Sequence, residues 1–121
     1  LSSVIEMGDK REARIDVVSH RSTLLAAQKK IETLSLLGEV TRRYIEVINA
    51  QELLILANAA ITLAEETLFE VEKRSNAGIT PVAEVNRAKA AFGTAKLTAY
   101  AQQQQLDIAK RALAMLWKEH L

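Results

Sequence analysis

The side chains that could bind a metal or catalyse a reaction are few and far apart in this sequence. The two histidines, His20 and His120, lie in different parts of the chain, and there is no cysteine. The two methionines, Met7 and Met115, do not form a cluster either. A zinc or copper site needs three or four converging ligands, so we expect no metal site and no bound cofactor.

Enzyme motifs are also missing from the sequence. It has no glycine-rich phosphate loop, no Ser–His–Asp set and no paired carboxylates in an evident pocket. The tyrosines Tyr44 and Tyr100 stand alone, and two long helices seldom enclose a pocket. The sequence therefore predicts a protein that is not an enzyme.

The composition favours long helices over a compact core. Of the 121 residues 49% are hydrophobic but only 4% are aromatic, whereas a compact core usually contains more rings. Alanine and leucine dominate together with Gln, Glu, Lys and Arg, a mixture typical of coiled coils. The 16 basic and 15 acidic residues are interspersed, so no basic patch for nucleic acid is expected. No uninterrupted apolar run is long enough to cross a bilayer.

The stretch from Arg74 to Val85 predicts the end of one helix and the start of another. Gly78 suits the left-handed position just past a helix end, because it has no Cβ. Thr80 is expected to cap the next helix, and Pro81, the only proline, suits its first position. Residues 78–80 are thus predicted to be the turn at the tip of a helical hairpin.

The predicted fold is all-α, a single unit over residues 1–121 formed by a long antiparallel, coiled-coil-like hairpin. Residues 10–77 are predicted to form the first helix and residues 81–119 the second. Residues 1–9 show no helical stripe and are interpreted as a strand remnant. Because a lone strand has no ladder partner, they are expected to be disordered or to join the helix. The chain starts at Leu1 without an initiator methionine, so we expect a piece of a longer protein.

Apolar stripes on both helices predict how they pair. In the second helix the spacing alternates between 3 and 4, a 3.5-residue repeat that indicates a left-handed supercoil. In the first helix the same spacing holds except where Arg43 takes an apolar position. The stripe of the second helix is Val85, Ala88, Phe92, Ala95, Ala99, Gln102, Leu106, Ala109, Leu113 and Leu116. That of the first is Leu36, Val40, Val47, Ala50, Leu54, Ala57, Ile61, Ala64, Leu68 and Val71. Beside it runs a second stripe of Leu53, Leu56, Ala60 and Leu63, which predicts a second packing partner.

Three segments resemble the TolC-like outer-membrane efflux proteins, and within them the heavy-metal branch of cobalt-zinc-cadmium and copper-silver exporters. Residues 5–14 (IEMGDKREAR) are similar to that branch's E-x-G-G-K-R-x-x-R, with Asp9 in place of the second glycine. Residues 71–88 are similar to the hairpin tip R-x-x-A-G-x-x-x-x-x-[DE]-x-x-x-A. Residues 109–117 (AKRALAMLW) are similar to A-[KR]-x-x-L-A-x-L-W-G, with Lys118 in place of the glycine.

This resemblance implies a function in transport. The full protein would be a homotrimer in the outer membrane of a Gram-negative bacterium, with a β-barrel and a periplasmic helical tunnel. Residues 1–9 would be the remnant of a barrel strand, and the missing barrel would supply the contact with the membrane. The channel would passively conduct substrates from an inner-membrane efflux pump, to which a periplasmic adaptor joins it in a tripartite assembly.

The resemblance also implies site residues at the tip. The residues expected to dock onto the adaptor are Arg74, Ala77, Gly78, Ile79 and Thr80. The alternative is an ordinary hairpin turn without a partner. Glu84 falls on the family's acidic position, where a carboxylate faces the tunnel mouth and bonds across neighbouring hairpins. The alternative is a glutamate favoured by the helix dipole. An acidic patch could face the lumen or simply be a solvated helix face; it consists of Glu65, Glu66, Glu70 and Glu72.

A second hypothesis comes from a different functional class. The chain could be a self-associating coiled-coil interaction module, such as the hairpin of a periplasmic adaptor. The second stripe and the junction at residues 5–14 distinguish the two hypotheses, because an adaptor hairpin needs neither of them.

Overall fold

The chain consists of two α-helices joined by a short turn. The computed structural model describes residues 2–120 and, of these, the side chains of residues 8–120. Helix α1 covers Ser2–Asn76 and helix α2 covers Val82–His120. No strand occurs between residues 2 and 120. The all-α prediction is confirmed.

The N-terminal residues differ from the strand that the sequence suggested. Residues 2–9 lie in the first turns of α1, so of the two expectations for this segment, disorder or joining the helix, the second is observed. The origin of this segment in a barrel strand of the full protein stays a prediction. Leu1 lies outside the described residues. A helix satisfies its backbone hydrogen bonds within its own segment, whereas a single strand leaves its donors and acceptors unpaired.

The chain divides after Glu39 into two units. In the first unit, Leu1–Glu39, the described residues 2–39 belong to α1, and every side chain from residue 8 to residue 35 is exposed. Its exposed apolar side chains include Ile15, Val18, Leu25 and Ile31. None of the side chains from residue 8 to residue 39 is fully buried, so this part of α1 contributes no core residue.

The second unit, Val40–Leu121, contains the paired hairpin. All ten predicted stripe positions of α2 are buried or half-buried, and so are the nine of α1 that lie in this unit, from Val40 to Val71. Leu36, in the first unit, is half-buried as well. A core cluster of Val47, Ala50 and Leu106 is flanked by Leu54, Ala109 and Leu113. No described side chain is less than 2% exposed, so burial within the chain is limited to one thin seam between the helices.

The second stripe of α1 remains uncovered within this unit. Leu53, Leu56 and Leu63 are all exposed, and so is Ala60. The seam positions of α1 are covered by α2, but none of the described side chains, residues 8–120, covers this neighbouring face. A face of large apolar side chains in water indicates a contact that the single chain does not make.

Helix α1 also contains a segment that would be apolar enough to cross a membrane. By length and average hydropathy one such segment is found within Gly8–Asn76, and 17% of it is buried. Core helices of soluble proteins and signal sequences meet the same criterion, so this finding alone does not make α1 a membrane span.

Candidate functional site

The hairpin tip is closed by main-chain hydrogen bonds. The N–H of Ile79 donates to the carbonyl of Arg74 over 2.9 Å, and the N–H of Gly78 donates to that of Ser75 over 3.0 Å. Gly78 has a φ of 78°, in the left-handed region that glycine occupies without a steric penalty. This pattern of one 6→1 and one 5→2 bond is the Schellman motif, which satisfies carbonyls left unpaired at a helix end.

The side chains of the tip point mostly into solvent. Ile79 is 76% exposed, more than any other large hydrophobic side chain among the described residues. Arg74 and Ala77 are exposed, whereas Thr80 is half-buried. The structure thus brings the five predicted docking residues together on one turn, with Ile79 as its only large apolar side chain.

Helix α2 starts directly after the proline. It begins at Val82, one residue later than predicted, and the N–H of Glu84 donates to the carbonyl of Pro81 over 3.0 Å. A difference of one residue at a helix end is within the usual variation of helix boundaries. Because Pro81 fixes its own φ, the chain leaves the turn in a direction that already suits the helix.

Glu84 is paired within its own helix. Its Oε1 lies 3.2 Å from Nη1 of Arg87, one turn further along α2. Both side chains are exposed, so the pair is screened by water and contributes little stability. Arg87 was not singled out in the sequence, although an acidic and a basic residue three positions apart on a helix are the signal for such a pair. The predicted role of Glu84 at a tunnel mouth stays a prediction.

The acidic patch lies on an exposed face of α1. Glu65, Glu66 and Glu70 surround the exposed ring of Phe69, while Glu72 is half-buried. Within Gly8–His120 no group of three or more His, Cys, Asp or Glu side chains is arranged to hold a metal ion. The exposure of the three glutamates agrees with a solvated helix face.

The family of the chain follows from comparison with known proteins. The model of the family described as outer membrane efflux protein matches residues 1–117. The chain belongs to this family. Comparison with curated proteins and comparison with solved structures gave no match. The predicted likeness to TolC-like proteins is confirmed at the level of this family, and the heavy-metal branch stays a prediction.

Membership of the outer membrane efflux protein family also settles the broad functional class. Proteins of this family are components of efflux channels in the outer membrane of Gram-negative bacteria, and they are not enzymes. The two-helix hairpin with an uncovered apolar face is consistent with a segment of such a channel. Its tip is therefore a candidate contact site with other components of an efflux system.

Proposed function

We propose that the chain forms part of the periplasmic tunnel wall of a trimeric efflux channel and docks through its hairpin tip onto a periplasmic adaptor. The observation that carries this proposal is the exposed Ile79 on a turn held by main-chain hydrogen bonds. The adaptor would in turn connect the channel to an inner-membrane pump.

The residues around Ile79 support a contact outside the chain. In a Schellman motif the residue at this position commonly packs against a side chain in the last turn of the preceding helix. Here that turn carries Lys73 and Arg74, whose charged groups remain in water. Ile79 therefore lacks the usual apolar neighbour and is available to an apolar pocket of another protein.

The rigidity of the turn favours binding as well. The bonds from Ile79 to Arg74 and from Gly78 to Ser75 hold the backbone in one conformation before any partner arrives. Binding then requires little further ordering, and ordering costs about 0.5–1.5 kcal/mol for each flexible side chain that is immobilised. A small Ala77 and a Gly78 beside Ile79 allow another backbone to approach closely.

The place of the chain in a tunnel wall is supported by its two apolar stripes. A helix in a tube wall contacts a neighbour on each side, and α1 has one covered stripe and one uncovered stripe. Trimer formation by the full protein would place further helices against Leu53, Leu56 and Leu63. The three segments that resemble heavy-metal exporters support metal ions as the cargo, conducted through the channel and not bound by this chain.

The alternative of a self-associating interaction module is weaker. A hairpin of the adaptor type needs only the seam between α1 and α2, whereas α1 has a second apolar stripe as well. The match to the outer membrane efflux protein family over residues 1–117 also favours the channel.

The test is binding of the chain to the hairpin domain of a candidate periplasmic adaptor. Ile79→Asp should abolish binding and leave helicity unchanged, because the side chain of Ile79 takes no part in the turn. The matched control is Leu97→Asp, because Leu97 is 71% exposed but lies on the shaft of α2. Equal binding by wild type and Ile79→Asp, or equal loss with Leu97→Asp, would reject the tip as the docking site.

A further inference from the structure

The apolar seam between the two helices contains one charged residue, Arg43. It occupies the stripe position between Val40 and Val47, where the repeat calls for an apolar side chain. Its side chain is half-buried, and its Nη1 donates a hydrogen bond of 2.6 Å to the backbone carbonyl of Ala112. The bond joins two helices across 69 positions of sequence.

Local packing explains how the guanidinium reaches a carbonyl in the side of a helix. Ala112 has only a methyl group, so its backbone is open to a neighbouring side chain. A carbonyl oxygen has two lone pairs and accepts a second bond besides its own helical one. Carbonyls of α2 point towards its C-terminal end, which is the open end of the hairpin, and Arg43 lies near that end.

Arg43 lies near the open end of the seam, where the chain does not join the two helices. At the tip, α1 and α2 are joined by the chain itself through residues 77–81. In the middle they are joined by the cluster around Val47, Ala50 and Leu106. At the other end the chain itself does not join the helices, and the seam beyond Arg43 and Ala112 is formed by Val40, Leu113 and Leu116. Fraying of that end would expose Leu116, which is only 3% exposed in the paired hairpin.

We propose that Arg43 stabilises the pairing of the two helices at the open end of the hairpin, through the hydrogen bond from its guanidinium to the carbonyl of Ala112. It is a positioning residue that holds α1 against α2 at this end of the paired unit. This inference does not depend on the proposed function, because it concerns only contacts within the hairpin. An arginine suits this role because its methylene chain packs on apolar neighbours while its guanidinium donates hydrogen bonds.

The experiment measures local opening by thiol labelling of the full chain. Since the chain has no cysteine, a single introduced cysteine reports one position only. Val40→Cys reports the open end, and Val85→Cys reports the seam beside the tip. Each is combined with Arg43→Ala, with Arg43→Met, which keeps an apolar stem, and with Arg43→Lys, which keeps a donor. The control is Arg111→Ala, because Arg111 is exposed and adjacent to the acceptor residue.

We expect Arg43→Ala and Arg43→Met to raise the labelling rate at position 40 about tenfold or more, which corresponds to the loss of one charge-assisted hydrogen bond. The rate at position 85 should not change, Arg43→Lys should restore part of the protection, and Arg111→Ala should have no effect. An unchanged rate at position 40 would overturn the proposal. A rise at both positions would do so too, since it would mean general loss of stability. Wild-type protection in Arg43→Met would show that stem packing, and not the bond, holds the end.

Discussion

The N–H of Ile79 and the carbonyl of Arg74 are joined by a hydrogen bond of 2.9 Å that closes the hairpin turn with main-chain atoms alone. The side chain of Ile79 takes no part in the turn and is free for another contact. The turn depends instead on the backbone conformation of Gly78, which lies between these two residues. A substitution of Gly78 therefore changes the fold of the tip, whereas a substitution of Ile79 changes only its surface.

Gly78→Ala should destabilise the hairpin. Its φ of 78° places any Cβ in a strained left-handed conformation, which costs about 1–2 kcal/mol. The same change at Gly93, in the middle of α2, should stabilise by about 0.5–1 kcal/mol, since a Cβ there would meet no atom within 4 Å. Urea unfolding of the two variants should move the midpoint in opposite directions. Midpoints that moved the same way would contradict the assignment of the Gly78 conformation.

Ala99→Leu should destabilise the seam. Ala99 is 7% exposed and lies where the two helices approach each other, so added carbon atoms force them apart. Such overpacking typically costs about 1–3 kcal/mol. Ala91→Leu is the matched control, because Ala91 is exposed on the same helix and should show almost no change. A thermal midpoint for Ala99→Leu equal to that of the control would mean that the seam is not closely packed.

The chain should self-associate through the second stripe of α1. Its accessible surface is 9954 Å², whereas a compact monomer of this mass exposes roughly 6,500 Å². Leu56→Lys should weaken association because it places a charge on this face, where Leu56 is 65% exposed. Asn58→Lys adds the same charge on another exposed face and should have no effect. Analytical ultracentrifugation across a range of concentrations would measure the association. A wild-type chain that stays monomeric at every concentration would contradict self-association through the second stripe.

Glu84→Gln should reduce the stability of the isolated chain only slightly. The carboxylate lies in the first turn of α2 beside Arg87, and both side chains are exposed, so solvent limits its contribution to less than about 1 kcal/mol. High salt should shrink the difference further. Glu66→Gln, in the exposed acidic patch of α1, serves as the comparison. A large loss that salt does not change would show that Glu84 has a buried partner.

The sequence predicts which residues of the two helices face each other, because the apolar repeat places them all on one side of each helix. Every third or fourth residue of α2 from Val85 to Leu116 is apolar or small except Gln102, and each of these positions is buried or half-buried. The turn was predictable for a similar reason, since Gly78 and Pro81 restrict the backbone strongly.

Contacts that depend on the exact register of two helices could not be predicted. The sequence shows Arg43 as an interruption of the stripe, but its acceptor is a backbone atom of Ala112, which no residue type reveals. Trp117 follows the seam residue Leu116 in sequence, yet its side chain is 61% exposed. Residues 2–9 show no helical stripe in the sequence, yet the helix extends through them because it needs no partner.

The full exposure of residues 8–35 has a consequence for the order in which the chain folds. The hairpin from Val40 onward can nucleate at its turn, because its first contacts join residues close in sequence. The helix before it gains no burial to offset the entropy of ordering and relies on backbone hydrogen bonds alone. Its amides should exchange with deuterium faster than those of the seam. Slow amide exchange in residues 8–35 would therefore report assembly directly, because this segment is protected only when other helices cover it.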